Sequence, residues 1–90
     1  EYTGMKSGII SMTKYLAKMY GKKNIRVNCI SPGGIDSNQP KSFKVRYKKD
    51  CGKKGLLDAN DLNSALSFIL SDESKYVNGQ NIVVDDGWSL

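Results

Sequence analysis

Met5, Ile9, Met12, Leu16 and Met19 recur at steps of four, three, four and three, a single apolar stripe at helical period. That spacing predicts a helix over residues 3–20, with Thr3 or chain before it as N-cap and Gly21 where a C-terminal cap belongs. Ile25, Val27 and Cys29 then alternate with polar residues until Pro32-Gly33-Gly34 stops the run, which predicts a strand over 24–31 ending in a sharp loop. Residues 41–54 fit neither period and are expected to form a short helix within a mobile loop. From Asp58 to Ser74 the apolar positions Leu62, Ala65, Leu66, Ile69 and Leu70 share one helical face behind a capping aspartate, so a second helix is expected over 58–74. Asn78-Gly79 turns the chain into a second apolar strand, "QNIVVDDG", that closes at Gly87.

The predicted order is helix, strand, basic loop, helix, strand. Two strands joined through a helix imply a parallel pair with a right-handed crossover, and parallel sheets are normally covered on both faces. Two strands cannot meet that requirement alone. The 90 residues are therefore expected to be the end of a larger α/β domain.

Composition narrows the class. Apolar residues make up 39% and charged residues 26%, a globular balance. No apolar run approaches the ~18 residues of a membrane span, and the first residues lack the basic-then-apolar order of a signal peptide. The cytoplasm is the expected location. The chain has no histidine and two cysteines, so a zinc site and a Ser-His-Asp or Cys/His nucleophile cannot be assembled from it; no metal is expected. Cys29 and Cys51 read as free thiols, Cys29 as a small core residue in an apolar run. The net charge is +5, and residues 41–54 hold seven basic side chains against Asp50 alone.

One pair carries potential chemistry. Tyr2 and Lys6 stand four apart, so on a helix the phenol and the ammonium project from one face. A free phenol ionises near pH 10 and is a poor acid–base catalyst at neutrality. A lysine charge ~4 Å away, at an effective dielectric of ~20, offers the phenolate up to about 4 kcal/mol before desolvation, enough to bring that ionisation close to neutrality. Such a pair also arises by chance in a lysine-rich chain; its context decides.

That context is Tyr2-x-x-x-Lys6-Ser7-Gly8, the run from Ile25 through Pro32-Gly33-Gly34-Ile35-Asp36-Ser37, and the terminal Gly79-Gln80-x-Ile82-x-Val84-Asp85-x-Gly87. In this order, and over essentially the whole chain, the sequence resembles the C-terminal third of a short-chain dehydrogenase/reductase. The resemblance implies a fold: α/β, the C-terminal part of a Rossmann-like doubly wound parallel sheet, with residues 1–90 as the C-terminal segment of a single NAD(P)-binding domain. It implies hydride transfer between NAD or NADP and a carbonyl or alcohol substrate. Tyr2 would be general acid/base, and Lys6 would hold the nicotinamide ribose and favour the phenolate. Pro32, Gly33, Ile35 and Ser37 would meet the cofactor, with Ser37 where the family usually has threonine.

Two departures follow. Asp85-Asp86-Gly87-Trp88 replaces the usual Asp-Gly-Gly-aromatic ending, which puts the local turn in doubt. The glycine-rich pyrophosphate loop, the residue that selects NAD or NADP, and the catalytic serine precede the tyrosine in this family and are not among these residues, so the 90 residues alone are not expected to bind NAD(P)H tightly or turn over. The expected partners are a small-molecule carbonyl or alcohol substrate, with an anionic one left open by the basic segment, and further copies of the chain through a second face of the first helix including Ile10, Tyr15 and Ala17. Neither nucleic acid nor membrane is expected. The competing readings are a non-catalytic oligomerising relative and a basic anion- or nucleic-acid-binding module, in which Phe43 and Tyr47 would stack on bases.

Overall fold

The computed structural model describes residues 2–90, with side chains from residue 4 onward. The helix α1 spans Tyr2–Tyr20. It runs on into a 3-10 turn, Gly21–Lys23, so the left-handed residue that ends it is Asn24 (φ 62°) and not Gly21. Asn is among the few side-chain-bearing residues that tolerate that conformation.

The face by which α1 packs differs from its apolar stripe. Thr13 and Ala17 are its buried positions among the described residues, and the Thr13 hydroxyl donates to the Ile9 carbonyl at 2.8 Å. A Cβ on Gly79 would stand 3.2 Å from that of Ala17, so small residues let the helix lie close against the turn before the second strand. Met5, Ile9, Met12 and Met19 remain exposed, Met5 by 68%. Ala17, expected on an outer face, is turned inward; Tyr15 is exposed as expected.

The strand β1 is Cys29–Pro32 and β2 is Asn81–Val84, paired in parallel with Cys29 opposite Asn81 and Pro32 opposite Val84. The expected start of β1 at residue 24 is therefore corrected to Cys29. Before it side chains stand beside a single backbone bond, from the Gly79 N–H to the Val27 carbonyl (2.8 Å): Asn78 Oδ1 accepts from the Val27 N–H (3.0 Å), and the Asn28 amide donates to the Val77 carbonyl (2.9 Å) and accepts from the Gln80 N–H (2.9 Å). Arg26 spans the same gap, donating to the Ser71 and Val77 carbonyls and to the Ser74 hydroxyl. Because these bonds use asparagine and arginine side chains, alternation of apolar residues could not reveal where the ladder begins.

The basic segment forms α2, Lys41–Lys49. The expected second helix is broken up: α3 is Asn63–Leu70, flanked by 3-10 turns at Ala59–Leu62 and Asp72–Ser74. Asp58 does mark the start, with the Asp61 carboxylate accepting from its N–H at 2.8 Å. After β1 the chain makes one further parallel bridge, Ile35 to Leu57, and Leu56, Leu57 and Ala17 are the buried apolar side chains among the described residues.

The accessible surface is 6926 Å², against about 5,200 Å² for a compact monomer of this mass. The radius of gyration is 15.2 Å, against about 12 Å for a compact domain of this length. Two strands and three helices thus leave wide apolar faces uncovered. Among the described residues no helix is long and apolar enough to cross a membrane.

Candidate functional site

The direction of α1 places the site. Its later turns face Asn78, Gly79 and Gln80 at the start of β2, whereas Lys6 lines a cleft with Pro32 and Gly33 at the carboxyl end of β1 and with Asp85 just past β2. The helix therefore runs against the strands, and its first turns lie where open α/β sheets bind ligands.

That cleft has a volume of about 330 Å³ and is walled by Lys6, Ser31, Pro32, Gly33, Gly34, Tyr47, Asn81, Val83, Asp85, Trp88 and Ser89. A smaller apolar cleft of about 190 Å³ opens on the other side of Lys6, between Met5, Ile9 and Ile10 of α1 and the residues of β1. Lys6 has no ion-pair partner within 4 Å among the described residues.

Of the residues singled out from sequence, Lys6, Pro32 and Gly33 meet in one cleft. The Tyr2 side chain lies outside the described residues. Ile35 and Ser37 do not line the cleft. Ser37 is exposed, its N–H donating to Gln39 Oε1 at 2.8 Å. Ile35 sits in the bridge to Leu57, where the Leu57 N–H donates to the Gly34 carbonyl (2.9 Å) and the Asp36 N–H to the Leu57 carbonyl (2.8 Å). Such a bridge turns the N–H and C=O of Ile35 itself the other way. Its carbonyl is taken by Gln39 Nε2 at 3.0 Å. Gly33 N–H donates to Val84 O (2.9 Å) and Gly34 N–H to the Tyr47 hydroxyl (2.7 Å), so the Ile35 N–H is the loop donor without a partner among the described residues.

Several cleft residues were not legible as such. Tyr47 leaves the basic helix inward, stacking on Trp88 at 5.5 Å between ring centroids and 5° between planes, with Phe43 behind it at 6.0 Å. Its spacing of four from Phe43 was the available signal. Asp85 is buried and accepts from the N–H groups of Gly87 (3.0 Å) and Ser89 (3.1 Å). The Ser89 hydroxyl and N–H, the Gly87 N–H and the Lys6 charge hold its carboxyl below the ordinary range against its burial. It is ionised at neutral pH. On the face shared by Cys29 and Ser31, the Ser31 hydroxyl donates to Asn81 Oδ1 at 2.6 Å.

The cysteines are unpaired and half-buried. Burial pushes the Cys51 thiol up, and Asp86, Asp50 and Asp85 add to it; the thiol donates to the Tyr47 carbonyl at 3.4 Å. Only the thiolate is nucleophilic, so Cys51 is expected to react with iodoacetamide at pH 7.5 several-fold more slowly than glutathione. Equal rates, read by peptide mass spectrometry, would contradict this environment.

The family model for enoyl-(acyl carrier protein) reductase matches residues 1–89. Flagellin modification protein A of Campylobacter coli is 51% identical over 90 residues, covering 100% of this chain and 35% of that protein. The 3-oxoacyl-(acyl-carrier-protein) reductase of Chlamydia trachomatis is 40% identical over 93 residues, covering 97% of this chain and 37% of that one. A short-chain dehydrogenase of Leptospira borgpetersenii, solved with bound NAD+, superposes with a TM-score of 0.94 at 42% identity over 99% of this chain and 35% of its own. The chain belongs to the short-chain dehydrogenase/reductase family. It spans about a third of the length of the relatives it matches.

The fold is accordingly α/β, with the parallel pair β1–β2 forming part of a Rossmann-like sheet. Within that family's pattern the departure at Asp86 acquires a meaning. Its φ is +53°, the left-handed region in which glycine is the default residue, which accounts for the glycine usual there. The basic-module reading loses one of its two aromatic stacking groups, since the Tyr47 ring is already stacked on Trp88 and its hydroxyl accepts from the Gly34 N–H.

Proposed function

We propose that the chain is the C-terminal segment of a single NAD(P)-binding domain and that the whole protein is an oxidoreductase, moving hydride between NAD or NADP and a carbonyl or alcohol carbon. The observation that carries this reading is Lys6 sharing a cleft with Pro32 and Gly33 at the carboxyl end of β1. The NAD+ in the Leptospira relative supports the cofactor class.

The residues present fit a nicotinamide nucleoside. Lys6 offers an ammonium for the ribose hydroxyls, and the unpartnered Ile35 N–H offers a donor to a carboxamide oxygen. A bound nicotinamide supplies or accepts the hydride at its C4. Tyr2, one turn before Lys6 on α1, donates a proton to the carbonyl oxygen in reduction and removes it from the alcohol in oxidation. The Lys6 charge favours the phenolate that this requires. Ser37, exposed in the turn after the loop, keeps the hydroxyl that the family resemblance assigns to cofactor contact.

The substrate is read from the cleft wall. Tyr47 and Trp88 present an aromatic surface there, suited to an uncharged carbon skeleton. Lys44 is paired with Asp36 (3.2 Å), and Lys54 with Asp58 (2.9 Å) and Asp61. Lys41 and Arg46, on the exposed side of α2 and outside these ion pairs, are the cations of the basic segment proposed to meet an anionic group on the substrate. The uncovered apolar stripe on α1 supports burial against the remainder of the domain or a second copy of the protein, and the two unpaired thiols support a reducing, cytoplasmic location.

Lys6→Ala in the whole protein tests the reading. Loss of a charged hydrogen bond to the ribose should weaken NADH or NADPH binding by about 10-fold or more, measured by fluorescence titration, and lower kcat as well. Affinity and turnover both unchanged would overturn it.

A further inference from the structure

We propose that Asp86 is a positioning residue, whose carboxylate latches the loop after α2 onto the C-terminal turn and thereby holds Tyr47 against the glycine loop of the cleft.

Asp86 lies two residues before Trp88, in a left-handed conformation that disfavours any Cβ. Its side chain offsets that strain through the backbone of a segment more than thirty residues away. The Lys53 N–H donates to both carboxylate oxygens (3.0 and 2.9 Å), and the N–H groups of Lys54 and Gly55 donate to Oδ2, the latter at 2.9 Å. The Asp86 carbonyl accepts from the Gly52 N–H at 2.7 Å. Successive main-chain N–H groups converging in this way form an anion-binding concavity, and bonds to an ionised acceptor are the strong ones. Here the anion is the chain's own aspartate.

The latch reaches the cleft through packed atoms. Gly55, at φ +88°, has its backbone against the last turn of α2, where an added Cβ would stand 3.0 Å from that of Lys48. One residue earlier on α2, Tyr47 bonds the Gly34 N–H and stacks on Trp88. Asp86, the 52–55 loop, α2, Tyr47 and Trp88 thus close a ring that returns to the turn in which it began. A glycine at position 86 keeps the turn and its carbonyl bond to Gly52 but removes the carboxylate's bonds to residues 53–55, which loosens the ring.

Hydrogen exchange of the whole protein tests this, with the Asp86→Gly and Asp86→Asn variants. Glycine relieves the backbone strain, so folding is retained. In Asp86→Gly the amides of Lys53, Lys54 and Gly55 should exchange at least about 10-fold faster, and the Gly34 amide, bonded to Tyr47, should follow. The neighbouring Gly33 amide, bonded to Val84, should not change. Asparagine, which keeps one acceptor oxygen, should restore part of the protection at all four sites. Unchanged exchange at Lys53–Gly55 would overturn the latch, and faster exchange there with Gly34 unaffected would overturn its reach to the cleft. The effect on catalysis rests on the oxidoreductase reading: Asp86→Gly should raise the KM for ethyl acetoacetate, used as a carbonyl probe, several-fold with kcat within about twofold. Absence of NAD(P)H-dependent turnover in the unmutated protein would count against that reading and leave the exchange result standing.

Discussion

Replacing Tyr2 by phenylalanine is expected to lower kcat of the whole protein by at least ~100-fold, about 2.7 kcal/mol in the barrier, while cofactor affinity stays within about twofold. The substitution removes one hydroxyl from the first turn of α1 and leaves the helix and its packed face, Thr13 and Ala17, untouched. The hydroxyl is the only group lost, and in the proposed mechanism it moves the proton at the substrate oxygen. An interaction made only in the transition state lowers kcat and kcat/KM together. Lys6→Ala differs, because it reduces cofactor affinity as well. Steady-state kinetics beside an NADH titration separates the two, and a Tyr2→Phe enzyme with near-normal kcat would remove Tyr2 from the mechanism.

Gly33→Ala is expected to destabilise the protein by about 2–4 kcal/mol, combining overpacking with a strained or broken strand-end hydrogen bond. The added methyl would lie 2.6 Å from the Asp85 Cβ and 2.9 Å from its Cα. Neither atom can yield without moving the end of β2, and the Gly33 N–H bond to the Val84 carbonyl (2.9 Å) opposes that movement. Gly34→Ala provides the contrast. Its methyl would meet the Leu56 Cδ2 at 2.6 Å and the Tyr47 ring at 3.1 Å, and a leucine terminus can rotate away. In a protein of its relatives' length, the Gly33 variant should melt about 5–10 °C lower, with the smaller loss at Gly34. A melting temperature within 2 °C of the parent for Gly33→Ala would mean that the strand ends do not approach as closely as described.

Local sequence determined much of this protein. Helical period set α1, the Pro32-Gly33-Gly34 stop set the end of β1, and two strands joined through a helix required the parallel pair. The spacing of Tyr2 and Lys6 on one helix, with the motifs that follow, was enough for the family. The helix and the strand end depend on neighbours within about one helical turn or one strand, the range over which backbone geometry dictates side-chain direction, whereas the parallel pair and the family followed from the order of elements and motifs along the chain. Tertiary structure decided the rest. Which face of α1 packs depended on Gly79 lying opposite Ala17, 62 residues on; where β1 begins depended on Asn78 and Val77; and Tyr47 turned inward because Gly34 and Trp88 offered it a donor and a ring. Asp86 is the sharpest case. In sequence it was a departure that cast doubt on a turn, and it became the acceptor for three backbone N–H groups only when the fold brought residues 53–55 to it. Long-range pairing leaves no period in a chain, because the partners' separation is set by the path between them and not by the geometry of either one.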